Sequence, residues 1–211
     1  MPVTTSRIPL WVKLLYTAFV AVLVPVYVMN YGPTNFIYFC DTSLLLGLIA
    51  LWLESPLIAS MPAVGIVVVQ ILWCVDFALG FGGYDFGLAS YMFNSHTPLF
   101  LRSLSLFHGW LPFVLLWMVH RLGYDRRALL CWTSLGWTLL CVSYFLMPAP
   151  PAPASNPYLP VNINLVYGPS DAAAQTWMSA NEWFLALGAV LTIVWIATHF
   201  ALRRFMPAAS N

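Results

Sequence analysis

Three side chains within apolar stretches of the sequence could do chemistry together: Cys40, Asp41 and His108. A thiol becomes a useful nucleophile as the thiolate, which needs a nearby base. A histidine can act as that base, and a carboxylate can orient and charge the histidine, as in catalytic triads. These residue types favour acyl transfer or ester hydrolysis, with Cys40 as nucleophile, His108 as base and Asp41 behind the base.

Each of these residues also has an ordinary structural explanation. A cysteine in an apolar helix is commonly a small buried hydrophobe. Asp41 could pair with Arg102, and His108 could be satisfied by a hydrogen bond between helices. Cys40 and Cys74 lie at one predicted depth, and a disulfide between them would end any role for Cys40 as a nucleophile. The cysteines form no C-x-x-C pair, so their spacing predicts no metal site.

The composition predicts what kind of element must position these side chains. The chain has 211 residues, of which 61% are hydrophobic and only 7% are charged, whereas a soluble domain is about 25% charged. So few charges could not solvate a folded surface, and lipid must therefore cover much of it. An aromatic fraction of 16% excludes disorder, and a net charge of +1 argues against a nucleic-acid partner.

Six stretches are apolar and close to the length of about 20 residues that crosses a membrane. They are residues 8–29, 35–53, 57–79, 99–119, 128–147 and 183–202. None has the strict two-residue alternation of a barrel strand. We therefore predict an all-α, polytopic transmembrane helical bundle that forms a single domain.

The lysines and arginines predict how this bundle is oriented, because cytoplasmic segments carry an excess of both. With six spans and a cytoplasmic N-terminus, seven of the eight cations fall on the cytoplasmic side, and Arg102 alone falls outside. Both termini are then cytoplasmic, and the long connections 80–98 and 148–182 are extracytoplasmic. We expect the second half of the longer connection to return over the bundle as a lid.

This orientation gathers polar residues at one level beneath the outer connections. At ~1.5 Å per residue, Cys40, Asp41 and His108 lie roughly 8–14 Å below the outer boundary. Further polar residues surround them, and we expect these to bind substrate: Asn35, Tyr38, Gln70, Asp76, Arg102, Ser105, Asn162 and Asn164. The tryptophans and tyrosines near span ends are interpreted as an interfacial belt, and His199 as a residue at the cytoplasmic interface.

Four strings resemble a group of bacterial multi-pass membrane proteins: YGPTNFIYFCD, LWLESPLIASM, SLSLFHGWLP and RLGYDRRAL. More remotely, the layout is similar to the YwaF-like integral membrane family, which includes transmembrane acyltransferases. By this resemblance Cys40 stands where those acyltransferases carry their cysteine, and His108 matches the histidine of their Ala-His-Gly span. Asn162 and Asn164 resemble an asparagine–tyrosine segment late in the family. The resemblance implies a bacterial inner membrane location.

The predicted function is an intramembrane acyl transferase or lipid hydrolase that acts on membrane lipid from the outer leaflet without a cofactor. The alternative is a non-catalytic protein that binds or transports a lipid, quinone or pigment in the same polar cavity, or a structural subunit. A zinc hydrolase using Asp41, Asp76 and His108 ranks third, because zinc sites usually have three protein ligands and one histidine lies at this depth. Membrane lipid is the expected partner, and an oligomer or a partner in a membrane complex stays open.

Overall fold

Seven α-helices and no strand occur in residues 7–84 and 86–209, which are the residues that the computed structural model describes. The helices are α1 (Leu10–Tyr31), α2 (Phe39–Leu53), α3 (Pro56–Gly80), α4 (Leu99–Leu104), α5 (Phe107–Leu122), α6 (Ala128–Leu146) and α7 (Ala180–Phe205). This architecture confirms the all-α helical bundle.

Among the described residues, five helical segments are long and apolar enough to cross a membrane, with α4 and α5 together counting as one segment. The chain is therefore a membrane protein, as predicted. α2 is shorter than predicted, because Pro33–Ile37 forms a separate 3-10 turn before it. The span predicted over 99–119 is not one continuous helix but breaks after Leu104.

The helices run alternately up and down, which brings α1's start and α7's end to the same side. There Lys13 forms a salt bridge of 2.7 Å with Glu54, and Tyr124 forms a backbone bridge with Ala208. We call this side the basic end, because it holds the seven cations predicted to be cytoplasmic. They are Arg7, Lys13, Arg121, Arg126, Arg127, Arg203 and Arg204.

The opposite side, the loop end, carries the connections 81–98 and 147–179. The second of these returns over the bundle, as predicted. Val161, Ile163 and Val166 are each no more than 4% exposed, and Asn162 and Asn164 are buried beside them. We call residues 161–168 the lid.

α3 is the central helix and packs against α2, α5, α6 and α7. A Cβ on Gly65 of α3 would lie 1.8 Å from the indole of Trp132, and the Gly65 carbonyl accepts a hydrogen bond of 3.0 Å from Trp195 Nε1. Both indoles are fully buried. Assigning tryptophans near span ends to an interfacial belt is therefore wrong for Trp132, because small residues let large rings pack between helices.

Candidate functional site

Cys40 and Asp41 lie in the first turn of α2, where the leading N–H groups of a helix lack partners within the helix. Asn164 of the lid supplies one partner, because its Oδ1 accepts the N–H of Phe39 at 2.9 Å. Asp41 is 3% exposed, and its Oδ2 accepts the thiol of Cys40 at 3.6 Å. The start of α2 therefore buries the carboxyl group of Asp41, and the thiol of Cys40 is hydrogen-bonded to it.

Ser105 and His108 lie at the break between α4 and α5. The Ser105 carbonyl accepts the backbone N–H of His108 at 3.2 Å and also lies 2.7 Å from its Nδ1. Because a carbonyl oxygen only accepts hydrogen bonds, this partner assigns the ring proton to Nδ1. In the neutral ring Nε2 is then an acceptor. The break in the span thus fixes both the position and the tautomer of His108.

Aromatic rings and a tyrosine hold this break against its neighbours. The ring of His108 stacks on Trp73, with centroids 5.1 Å apart and planes 25° from parallel. The Ser105 hydroxyl hydrogen-bonds that of Tyr27 in α1 at 2.8 Å. These two contacts bring α1 and α3 to the break, so His108 lies among side chains from several helices.

Pro112 has a further consequence for His108, because proline has no N–H to donate to the carbonyl four residues earlier. That carbonyl belongs to His108, and the thiol of Cys74 donates to it at 3.8 Å. Cys74 and Cys40 are both free thiols. The structure therefore contains no Cys40–Cys74 disulfide, and Cys74 acts as a substitute donor for the kinked helix.

Several side chains from different helices meet beneath Tyr91, a residue of the 81–98 connection. The ring of Tyr91 lies edge-on to the ring of His108, with centroids 6.5 Å apart. Its hydroxyl also approaches the Trp73 indole but does not reach hydrogen-bond geometry. Gln70 lies one helical turn below Trp73 on the same helix. We call this group the polar layer; it consists of Tyr27, Cys40, Asp41, Gln70, Trp73, Ser105 and His108.

Four buried atoms of the polar layer have no hydrogen-bond partner among the residues that the structure describes. They are Asp41 Oδ1, both side-chain atoms Nε2 and Oε1 of Gln70, and Trp73 Nε1. Gln70 is 2% exposed, and Trp73 is 5% exposed. Such groups are rare in native proteins, and each needs an explanation.

The predicted triad of Cys40, Asp41 and His108 is not joined by hydrogen bonds. The thiol of Cys40 donates to Asp41, and Nδ1 of His108 is used by the Ser105 carbonyl. Within the described ranges, no hydrogen bond connects His108 to either of the other two residues. The three residues share a region of the bundle. Their hydrogen-bond partners, however, are not the ones that a catalytic triad requires.

Two residues expected to bind substrate anchor the 81–98 connection instead. The carboxylate of Asp76 accepts the backbone N–H groups of Phe86 at 2.9 Å and Ala89 at 2.8 Å. Arg102 donates to the Met92 carbonyl at 3.0 Å. In the part of the chain that the structure describes, no salt bridge links Arg102 to Asp41, and no group of three metal-ligating side chains occurs.

The lid uses its two asparagines internally. Asn162 Nδ2 donates to the carbonyls of Gly168 and Ser170, and its Oδ1 accepts the N–H of Tyr167 at 2.8 Å. Asn164 Nδ2 donates to Ile37 O and to Ser143 Oγ, both at 3.1 Å. Both amides are therefore already engaged in holding the lid.

Asn35 and Tyr38 precede α2, where the lid meets the 3-10 turn. Asn35 is 9% exposed, and Tyr38 donates through its hydroxyl to the Val161 carbonyl at 3.2 Å. Tyr38 is therefore a further lid contact. At the basic end, His199 does not extend to the membrane surface as interpreted, because it is 7% exposed and its Nδ1 lies 2.6 Å from the Tyr124 hydroxyl.

Sequence reasoning missed Tyr27, Trp73 and Tyr91 as members or neighbours of the site. Trp73 had a usable signal, because it lies midway between Gln70 and Asp76 at helical i, i+3 spacing. The sequence contains no such signal for Tyr27 and Tyr91, since their positions beside the site depend on how α1 and the 81–98 connection pack against the bundle. No family model, no curated protein and no solved structure matches this chain, so the resemblance to YwaF-like proteins stays a prediction.

Proposed function

We propose that the polar layer binds the head of an uncharged amphipathic molecule whose tail lies among the membrane lipids. The observation that carries this proposal is the set of four unpartnered atoms of Asp41, Gln70 and Trp73 within the described residues. A buried polar atom without a partner costs about 1–3 kcal/mol. A ligand that supplies the missing hydrogen bonds gives these side chains a reason to be buried there.

The chemistry of the layer indicates what kind of head it would accept. Trp73 Nε1 and Gln70 Nε2 donate hydrogen bonds, whereas Gln70 Oε1 and His108 Nε2 accept them. A head with both a carbonyl and a hydroxyl group matches this pattern, as in an acylglycerol or the oxidised and reduced forms of a quinone. Among the described residues Arg102 is the cation on this side of the bundle; its Nη1 donates to the Met92 carbonyl, its Nε has no partner, and the four unpartnered atoms of the polar layer include no cation, so an uncharged head is the better match.

The location of the site follows from the distribution of lysine and arginine. Excess positive charge marks cytoplasmic segments, so we assign the basic end to the cytoplasm and both chain termini with it. The polar layer then lies on the outer-leaflet side, beneath the extracytoplasmic connections. We propose that the protein belongs to a bacterial inner membrane and that its ligand enters from the outer leaflet.

Gln70→Leu tests this proposal directly, because it removes two of the unpartnered atoms and keeps an apolar side chain of similar size. The purified full chain would be titrated with a diacylglycerol and, separately, with a long-chain benzoquinone. For the probe that wild type binds more tightly, we expect Gln70→Leu to weaken binding about tenfold. Cys141→Ala, a substitution of a free thiol in α6, is the control. Equal affinities of wild type and Gln70→Leu for both probes would contradict the proposal.

Acyl transfer or lipid hydrolysis is the second candidate, and one observation favours it. The hydrogen bond from Nδ1 to the Ser105 carbonyl fixes the ring of His108. The histidine base of a catalytic triad is held in the same way, with Nε2 available for a proton. In the proposed step Nε2 takes the proton of Cys40, the sulfur attacks an ester carbonyl, and the alcohol leaves with that proton. Water or a second alcohol then releases the acyl group from the thioester.

Covalent labelling separates this candidate from simple binding. An electrophilic probe with an acyl-like tail should label wild type and Cys141→Ala but not Cys40→Ala. His108→Ala should slow labelling without abolishing ligand binding, since the thiol would lose its base. Undiminished labelling of Cys40→Ala would rule out Cys40 as the nucleophile and leave the binding function as the better explanation.

A further inference from the structure

We propose that a groove beside α7 at the basic end holds an acyl chain of an anionic phospholipid, with the phosphate at Arg204. The groove has a volume of about 460 Å³. It is bounded by α3, α5 and α7, where Val67, Leu116 and Ala197 are among the lining residues. It lies at the opposite end of the bundle from the polar layer.

The groove is long enough and apolar enough to hold a lipid tail. Along α7 it runs from Val194 to Met206, which is about 18 Å at the rise of an α-helix. One leaflet of the hydrocarbon core is about 15 Å thick. The polar lining residue Thr198 donates its hydroxyl to the Val194 carbonyl at 2.8 Å, so the lining offers an occupant apolar contacts.

A positive charge lies beside the groove at the basic end. The Arg204 guanidinium lies over the ring of Phe205, a lining residue, at 5.8 Å. On α5, His120 follows the lining residue Leu116 by four positions and therefore lies on the same helix face. A phosphate at this level would meet the Arg204 cation from α7, and an imidazole N–H of His120 on α5 could donate to it.

The carboxylates at the basic end are already engaged. Glu54 pairs with Lys13 at 2.7 Å, and Asp125 pairs with Arg127 at 2.7 Å. In the described part of the chain, Arg204 has no carboxylate partner within salt-bridge distance. The net positive charge at this end is therefore not balanced within the protein, and it complements an anionic head on a lipid whose tail fits the groove.

Lipid titration of the delipidated full chain, followed by native mass spectrometry, tests the proposal. The two probes are dioleoyl phosphatidylglycerol and dioleoyl phosphatidylcholine, which share their tails. We expect the anionic lipid to bind about fivefold more tightly, the gain typical of one cation near a phosphate. Arg204→Gln should remove this preference, and Arg204→Lys should keep it.

Filling the groove tests the other half of the proposal. Ala197→Trp places an indole in the groove and should weaken binding of both lipids, whereas Ala186→Trp, at an exposed position nearer the start of the same helix, should not. Equal affinity of wild type for the two lipids would overturn the proposal, as would unchanged binding by Ala197→Trp. A dimer of the chain that Ala197→Trp dissociates would assign the groove to a second copy instead. Gln70→Leu should change none of these results, so this site and the polar layer can fail separately.

Discussion

The basic end and the polar layer differ in how their buried polar groups are paired, although Trp132 Nε1 near the start of α6 also lacks a hydrogen-bond partner among the described residues. At the basic end Lys13 pairs with Glu54, and Tyr124 pairs with His199. In the polar layer, by contrast, four buried atoms have no partner within the described ranges. Partnered groups stabilise the fold and unpartnered ones cost free energy. The four unpartnered atoms of the polar layer are the basis of the proposal that this layer binds a ligand.

The packing of α3 offers the largest test of this contrast. Gly65→Ala would bring a Cβ to within 1.8 Å of the Trp132 indole, and we expect a loss of about 3 kcal/mol or more in the free energy of unfolding. Gly109→Ala is the matched control, because nothing lies within 4 Å of its added Cβ. Thermal unfolding of both variants in detergent measures the difference. Similar melting temperatures would contradict the close packing of α3 and α6.

Removal of the lid's contact with α2 should have the next largest effect. Asn164→Ala loses hydrogen bonds to Phe39 N, Ile37 O and Ser143 Oγ and leaves the start of α2 without its cap. Lost caps cost about 1–2 kcal/mol, and buried partners left unsatisfied add to this. Hydrogen exchange of the α2 amides should rise. Ser170→Ala, at an exposed site, is the control, and equal exchange in both variants would argue against this role of Asn164.

Gln70→Leu should change the stability of the ligand-free protein in a direction that reveals whether Gln70 has a partner. Because both polar atoms of the amide are unpartnered among the described residues, replacing them should stabilise the ligand-free protein by about 1 kcal/mol. A structural glutamine would give the opposite result. Chemical denaturation of the delipidated protein measures the change, and a destabilised variant would show that Gln70 has a partner in the protein.

The smallest effect concerns pH and the lid. Burial raises the pKa of Asp171, whose carboxylate accepts a hydrogen bond from Asn162 Nδ2 at 3.2 Å. The pKa of Asp171 is higher in the folded protein than in the unfolded chain, so the folded protein keeps the Asp171 proton to a higher pH. The stability of the lid therefore falls as pH rises from 3.8 through the raised pKa. Above that value the stability is constant with pH.

Asp171→Asn should remove this pH dependence. We expect the change in lid stability with pH to be small, because Asp171 is exposed to solvent. Hydrogen exchange of the lid amides, corrected for intrinsic rates, measures it. A variant that keeps the full pH dependence would assign the titration to another group.

Local pattern made part of this site predictable. Apolar run lengths indicated the helices, and the rise per residue indicated the common level of Cys40, Asp41 and His108. The hydrogen-bond partners were not predictable in the same way. His108 binds a carbonyl three residues earlier because the helix breaks at Ser105, and a continuous helix would have left its ring free to reach another helix.

Composition and local periodicity were enough to predict the membrane class, the approximate spans and the uneven distribution of charge. Which groups meet depends on the packing of the helices and connections. This packing placed Asn164 of the lid against the start of α2, 125 residues from Phe39, and it brought Trp132 and Trp195 onto glycines. It also left Gln70 without a partner among the described residues. These outcomes depend on how each helix is rotated about its axis and where each connection returns, and neither is encoded in a local repeat.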